Sequence, residues 1–230
     1  PILTITGQYS PAGLFGIVEE QGSIESLSVR GVVSVSDSAD TTTGGIVGVN
    51  HGTLINCQFT GVVTGDSEVG GIVGRNESEG TIDHGTARAI VTGKSSTGGI
   101  AGYNLGAITG CTNVGSINTE YPEASLDTDG FTAKMVDYIN NKMAAADNDA
   151  TNSVTNVATD TGGIAGRSSG MILTSVNTGT IGYEHVGYNV GGIVGRTDGL
   201  VSGCVNQGRV LGRKDVGGDR KSTRLNSSHA

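Results

Sequence analysis

The chain has few large rings, few prolines, few cysteines and little positive charge. Of its 230 residues none is Trp, three are Phe and six are Tyr, which excludes a core built mainly on aromatic side chains. Only three residues are Pro, which excludes a collagen-like or proline-rich linker composition. No run approaches the roughly 18 apolar residues of a membrane-spanning helix, so we expect no membrane insertion. The remaining residues, mainly Gly, Thr, Ser, Val, Ile and Asn, favour short strands joined by tight turns.

Acidic residues outnumber basic ones, 22 against 14, and the formal net charge is −8. The acids are scattered along the chain and do not form runs. A surface that binds nucleic acid needs clustered Lys and Arg, and a surface that binds an anionic membrane needs the same. Neither partner is therefore expected.

A glycine-rich pentad of the type Gly-Gly-Ile-Val-Gly is the strongest feature that the sequence contains. Its copies begin at Gly44, Gly70, Gly98, Gly162 and Gly191, with a degenerate copy at Ala12 and the start of another at Val216. Successive copies lie 26 to 32 residues apart, except for one interval of 64 residues that holds an insertion. The phosphate-loop pattern G-x-x-x-x-G-K-S/T is absent, so we interpret the repeated glycines as architecture and not as a nucleotide site.

Aligning the second halves of the repeats places equivalent residues in columns, of which two are apolar and one is glycine-rich. The columns are Ile24, Leu54, Ile82, Ile108, Ile172 and Val201; Val33, Val63, Val91, Ile117, Ile181 and Val210; and Gly31, Gly61, Ala89, Gly115, Gly179 and Gly208. Such columns indicate stacked coils, because one coil alone cannot bury its apolar side. The predicted fold class is therefore all-β, a parallel β-helix (β-solenoid) over 1–218. It has about six coils of 26–32 residues, each with about three short strands.

The pentad predicts one inward column and one outward column. The inward one is the stricter apolar set of Leu14, Ile46, Ile72, Ile100, Ile164 and Ile193. The outward one, at the variable position that follows the pentad, is Val49, Arg75, Tyr103, Arg167 and Arg196. Arg75, Tyr103, Arg167 and Arg196 are the candidate ligand-binding residues, because arginine and aromatic groups bind acidic or sugar ligands. A solvated face without a ligand is the alternative.

The three cysteines share one column with Leu27, Gly85 and Ser175, which marks a packing position. Cys57 and Cys111 are two coils apart, as are Cys111 and Cys204. Two coils correspond to about 9.6 Å, beyond the roughly 7 Å between Cα atoms that a disulfide spans. We expect three buried thiols that pack as small hydrophobes, with no disulfide and no zinc site.

An insertion at about 119–161 interrupts the repeat. Its apolar residues fit one face of an amphipathic helix and are Phe131, Met135, Val136, Ile139 and Met143. Two interpretations are open: a helix that lies on the solenoid flank with its apolar stripe down, and a recognition element that projects from the repeat.

The two ends of the chain differ from the repeat. Residues 219–230 match one reading frame of a common short-read sequencing adapter, and we interpret them as an artefact; a genuine basic tail is the alternative. The chain begins at Pro1 without an initiating Met. It is therefore expected to be a fragment of a longer protein, with neighbouring domains as partners.

The sequence offers little for catalysis. Polysaccharide-cleaving enzymes use paired carboxyl groups. The acids that lie in turns of neighbouring repeats are Asp66, Glu68, Glu77 and Glu79. His51, His84 and His185 have no second histidine at ligand spacing, and no serine or cysteine lies in a nucleophile motif. We expect no catalytic residue, no metal site and no cofactor.

The repeat units, of the form GGIVGVNHGTLINC followed by TGVVTG, resemble the GLUG motif repeats. Those repeats occur in large bacterial surface and secreted proteins, including non-catalytic regions of IgA-specific metalloendopeptidases. The resemblance covers about residues 12–218 and implies an extracellular or cell-surface β-helical stalk or adhesin-like region that binds host or matrix glycans or proteins. The zinc motif HEXXH of the family's proteases has no match here, so that activity is not implied. The alternative function is a carbohydrate-binding or polysaccharide-cleaving β-helix domain.

Overall fold

The computed structural model describes residues 2–8, 10–35, 41–119, 158–183, 187–212 and 214–217. These residues form a parallel β-solenoid of about six coils, as predicted, and the described part of the chain contains strands but no helix. It holds no segment that is both helical and apolar over the length needed to cross a membrane. The predicted amphipathic helix and residues 219–230 lie outside the described residues.

The coils place strands at four positions and not at the expected three, so that four parallel sheets run along the solenoid. Sheet I contains β5 (Thr43–Gly44), β9 (Ser67–Gly70), β13 (Ser95–Gly98), β18 (Thr159–Gly162), β22 (Tyr188–Gly191) and β26 (Lys214–Gly217). Sheet II contains β2 (Phe15–Val18), β6 (Val47–Asn50), β10 (Val73–Asn76), β14 (Ala101–Asn104), β19 (Ala165–Ser168) and β23 (Val194–Thr197). Sheet III contains β3 (Ser23–Glu25), β7 (Thr53–Ile55), β11 (Thr81–Asp83), β15 (Ala107–Thr109), β20 (Met171–Leu173) and β24 (Leu200–Ser202). Sheet IV contains β1 (Leu3–Gly7), β4 (Ser28–Val35), β8 (Gln58–Thr64), β12 (Thr86–Thr92), β16 (Thr112–Asn113), β17 (Ser116–Ile117), β21 (Val176–Asn177) and β25 (Val205–Asn206).

The fourth strand arises because the pentad contains a corner. In the first full pentad, β5 ends at Gly44 and β6 begins at Val47, so Gly45 and Ile46 form the turn from sheet I to sheet II. Glycine is needed at this corner because a Cβ on Gly45 would lie 2.5 Å from Cγ of Phe59 across the core. Ile46 fills the inside of the corner, and both Ile46 and Val47 are completely buried. The pentad is thus the end of one strand and the start of the next.

The predicted columns are in register in the structure. Leu54 pairs with Ile24 on one side and Ile82 on the other, and Val63 pairs with Val33 and Val91. Their side chains are fully buried wherever a coil covers them on both sides, and each such burial stabilises the fold by about 1.5–3 kcal/mol. The same columns are less covered at the two ends of the described stack. Leu14, predicted to be in the core, is 40% exposed for this reason.

The stack continues across the insertion. Strand β18, which follows it, pairs with β13, which precedes it by one coil, so that Thr161 lies opposite Thr97. At the point where the chain leaves the coil, the Nδ2 of Asn118 donates a hydrogen bond to Oγ1 of Thr161 at 3.0 Å. The backbone N–H of Gly93 donates to Oδ1 of Asn118 at 2.9 Å. Asn118 therefore links the chain that precedes β13 to β18, the first strand after the insertion.

Candidate functional site

The four predicted ligand-binding residues form one column on the outer face of sheet II. Arg75 pairs with Tyr103, Tyr103 with Arg167 and Arg167 with Arg196, each on the next strand of the stack. On the strands of Arg75, Tyr103 and Arg167 the neighbouring residues are buried, and the pleat therefore turns these three side chains outward; on the last strand Arg196 is itself exposed. The structure brings the four residues together, but it gives them different surroundings.

Arg75 is held by two carboxylates. Its Nη1 lies 2.7 Å from Oε1 of Glu68, and its Nε lies 2.6 Å from Oε1 of Glu77. The other oxygen of Glu68 accepts a hydrogen bond from Oγ1 of Thr42 at 3.1 Å. Burial disfavours the charged guanidinium, but hydrogen bonds and charge from Glu77 and Glu68 outweigh it and raise the pKa of Arg75. The positive charge of Arg75 is thus already compensated within the protein.

Tyr103 lies between two guanidinium groups. The Cζ of Arg75 is 5.0 Å from the ring centroid and that of Arg167 is 5.2 Å from it, and the two arginines come from the neighbouring strands on either side. These distances are those of cation–π contacts. The hydroxyl of Tyr103 is 3.3 Å from Oγ of Ser169. The ring is occupied by the protein's own arginines, so we do not expect it to stack on a sugar.

Arg167 and Arg196 end the column. Among the described residues, no carboxylate lies within 4.0 Å of either guanidinium group. Asp198 is nearby: a hydrogen bond from Ser169 lowers its pKa, and the positive charges of Arg167 and Arg196 lower it further. These two arginines are therefore the part of the column whose charge is least compensated.

The candidate acids do not form an open carboxylate pair. Glu68 and Glu77 both contact Arg75, and Oδ1 of Asp66 lies 2.8 Å from Nζ of Lys94. A hydrogen bond from Ser78 lowers the pKa of Glu79, which is exposed. Three of the four acids are thus engaged with a cation of the same or the adjacent coil.

The histidines and acids do not assemble a metal centre in the part of the chain that the structure describes. His84 is exposed, with its Nδ1 2.8 Å from Oδ1 of Asp83. His185 lies outside the described residues.

The cysteine column is confirmed as a packing position, and none of the three cysteines forms a disulfide. Backbone hydrogen bonds link its successive positions, as from Thr86 N–H to the carbonyl of Cys57 and from Val176 N–H to that of Cys111. Cys57 and Cys111 are buried, whereas Cys204 is half-buried because it lies in the last described coil. The prediction of three buried thiols is therefore wrong for Cys204.

The thiol of Cys111 provides a test of this packing. Burial raises its pKa from 9.0 to about 12, because the thiolate would lie in an apolar interior. The folded state then keeps a proton that the unfolded chain releases above about pH 9. The free energy of unfolding should fall as pH rises from about 9 towards 12, by about 1.4 kcal/mol per pH unit from this group.

The Cys111→Ala variant removes this titration and should lose less stability over the same range than the unchanged protein. The measurement is urea unfolding followed by circular dichroism between about pH 8 and pH 11. All other titratable groups are the same in the two proteins, so only the difference between the two slopes counts. Equal slopes would contradict a buried, protonated Cys111.

Two ladders of buried asparagine side chains were not foreseen. The first lies on sheet II: Nδ2 of Asn50 donates to Oδ1 of Asn76 at 2.8 Å, and Nδ2 of Asn76 donates to Oδ1 of Asn104 at 2.8 Å. The second lies on sheet IV, where Asn113 donates to Asn177 at 2.8 Å and Asn177 to Asn206 at 2.7 Å. The recurrence of Asn directly after the outward position in three successive repeats, at Asn50, Asn76 and Asn104, was the signal that could have indicated the first ladder.

Comparisons with known proteins give one partial similarity. A 75-residue stretch is 35% identical to Halomucin of Haloquadratum walsbyi. It covers 33% of this chain and 1% of Halomucin, so the chain spans a very small part of that protein's length. No protein-family model matches the chain. No solved structure matches it.

Proposed function

We propose that this chain is a non-enzymatic repeat module of an extracellular or cell-surface bacterial protein, where it serves as a stalk or spacer with an adhesive outer face. The resemblance to GLUG repeats supports the location and the class. The unbroken pairing of strands along four sheets supports the mechanical role, because a continuously paired stack holds a fixed length.

The observation that supports a non-enzymatic function is that three of the four candidate acids are engaged in ion pairs with the protein's own cations. A polysaccharide hydrolase needs two carboxyl groups that face the same glycosidic bond. Here Glu68 and Glu77 are both bound to Arg75, and Asp66 is bound to Lys94. Carboxylates engaged in this way with the protein's own cations do not face a common bond of a substrate.

Incubation with a panel of neutral, carboxylated and sulfated polysaccharides tests this part of the proposal. We expect release of reducing ends and of unsaturated uronate at the rate of the buffer alone. Cleavage that is present in the unchanged protein and lost in Glu77→Gln would refute the non-enzymatic function and favour the polysaccharide-cleaving alternative.

The spacer role predicts that one whole coil can be removed. Deleting residues 70–97 joins Val69 to Gly98, and because Val69 and Thr97 are register partners, the next strand resumes in phase. We expect a folded protein that is shorter by one strand spacing, about 4.8 Å. Circular dichroism, size-exclusion chromatography and small-angle X-ray scattering measure the fold and the length.

Deletion of residues 70–94 is the matched control. It removes three residues fewer, and this odd offset turns the side chains of the following strand to the wrong face. This variant should aggregate or lose its β-sheet signal. If both deletions folded equally well, the coil would not be the modular unit that a spacer requires.

A further inference from the structure

We propose that Arg167 and Arg196 form a binding site for the carboxylate or sulfate groups of an acidic polysaccharide. The inference names the ligand class of the adhesive face and depends on that part of the proposed function alone. It does not depend on the spacer role.

Charge is distributed unevenly along the column. Arg75 is neutralised by Glu68 and Glu77, whereas Arg167 and Arg196 have no ion pair with any residue that the structure describes. The two arginines are register partners on adjacent strands, about 4.8 Å apart along the stack. Like charges at this spacing repel each other, and an anion placed between them would relieve the repulsion.

Arg167 is held in position by its neighbours on sheet II. Its guanidinium lies 5.2 Å from the ring centroid of Tyr103, whose hydroxyl is in contact with Ser169. Arg75, fixed by its two carboxylates, lies on the other side of the same ring. Arg167 is thus positioned before a ligand arrives, which lowers the conformational entropy lost on binding. A positioned guanidinium presents paired N–H donors that match the two oxygens of a carboxylate or sulfate.

The charge of the surrounding protein limits where a polyanion can bind. The chain carries a net charge of −8, so a polyanion is repelled by the protein as a whole and can bind only where positive charge is local. Asp198 lies close enough for the charges of these two arginines to lower its pKa, in addition to a hydrogen bond from Ser169. It partly offsets their charge, and its removal should therefore strengthen binding of an anion.

Both arginines project from the outer face of sheet II and follow each other along the stack at its described end. Two positive charges in line on a sheet face suit an extended polymer with repeated negative charges better than a compact ligand. A polysaccharide with a carboxylate or sulfate on each repeat unit has this form.

The test is binding of the intact chain to polygalacturonate, to dextran sulfate and to neutral dextran, measured by isothermal titration calorimetry at about 50 mM salt, where surface charges are weakly screened. We expect binding to one or both charged polymers and none to neutral dextran. Arg167→Ala and Arg196→Ala should each weaken binding about tenfold, the loss typical of one charged hydrogen-bonded pair. Asp198→Asn should tighten binding, and Arg167→Lys should restore only part of the affinity because lysine lacks the planar fork.

Arg88→Ala is the matched control, because Arg88 is an exposed arginine on the outer face of sheet IV. It should bind like the unchanged protein, and circular dichroism should show all variants folded. Binding of polygalacturonate alone identifies carboxylate as the ligand group, and binding of dextran sulfate alone identifies sulfate. The inference is overturned if neither charged polymer binds, if dextran binds equally, or if Arg88→Ala weakens binding as much as Arg196→Ala.

The same samples separate this inference from the proposed function. The length of each polymer after incubation reports cleavage independently of binding. Absence of binding with intact polymers would remove the anion site and leave the spacer role standing. Cleavage of a polymer would refute the non-enzymatic function whatever the binding result.

Discussion

Replacing Gly102 by alanine should lower the free energy of unfolding by at least about 3 kcal/mol, at the upper end of what overpacking of a core costs. Gly102 lies in β14, and a Cβ added there would be 2.2 Å from the carbonyl carbon of Glu68 and 2.4 Å from the backbone N of Val69. Both atoms belong to the backbone of the preceding coil. No change of side-chain rotamer relieves the overlap, so the strands themselves must separate.

Gly16→Ala is the control at the equivalent position of the first coil. The nearest atom to a Cβ on Gly16 is the carbonyl oxygen of Pro11 at 3.7 Å, which is an ordinary contact. The free energy of unfolding of this variant should lie within about 0.5 kcal/mol of that of the unchanged protein. The midpoint of urea unfolding, followed by circular dichroism, measures both. Similar losses at Gly16 and Gly102 would mean that helical or strand propensity, and not the close approach of coils, sets the requirement for glycine.

The register of the coils could be predicted because stacked positions require the same type of residue in every repeat. A position that is Ile, Leu or Val in six repeats, such as that of Leu54, has the same neighbours above and below it in every coil. The number of strands in a coil could not be predicted in this way. A corner and a strand carry the same residues in the pentad, since Ile46 at the corner and Val47 on the strand are both apolar and both buried.

The role assigned to glycine also needed the structure. In a sequence, a repeated glycine can indicate either a left-handed backbone conformation or a place where neighbouring backbones approach closely. In the corner after sheet III the left-handed conformation is adopted by glycine in two repeats, at Gly110 and Gly203, and by other residues in the rest, such as Asn56 with φ of 52° and His84 with φ of 52°. The pentad glycines serve the close approach of neighbouring coils, as the atoms around Gly102 illustrate.

Of the candidate site, the sequence predicts the column but not the contacts. Arg75, Tyr103, Arg167 and Arg196 share a repeat position, and repetition alone places them on one face. Of the two carboxylates that neutralise Arg75, Glu68 lies in β9 and Glu77 directly follows β10, and the residue types at both positions vary between repeats. Whether an arginine is paired depends on those positions, and the periodicity of the column carries no information about them.

Removing the side chain of Asn76, in the middle of the first asparagine ladder, should lower the free energy of unfolding about as much as Gly102→Ala does. Asn76 is completely buried; it accepts from Nδ2 of Asn50 and donates to Oδ1 of Asn104, each at 2.8 Å. In Asn76→Ala, Oδ1 of Asn104 loses the donor that the ladder gives it, and a cavity is left behind. A buried acceptor without a partner and the cavity together should cost about 3 kcal/mol in the free energy of unfolding.

The isosteric Asn76→Asp variant separates the hydrogen bonds from the packing. It keeps the shape but replaces the Nδ2 donor by an oxygen that faces Oδ1 of Asn104, and it buries a negative charge. At neutral pH it should be at least as unstable as Asn76→Ala, because two acceptors then face each other in a low-dielectric interior. Asn206→Ala is the control at the partly buried end of the second ladder, where Nδ2 of Asn177 keeps its bond to the carbonyl of Gly179 at 3.2 Å. Its expected loss is about 1 kcal/mol. Urea unfolding of the three variants measures these losses. A stable Asn76→Asp variant would show that the shape of the side chain alone holds the coils in register. Losses that are large for Asn76→Asp and Asn76→Ala and small for Asn206→Ala would show that the donor–acceptor direction of the ladder holds them.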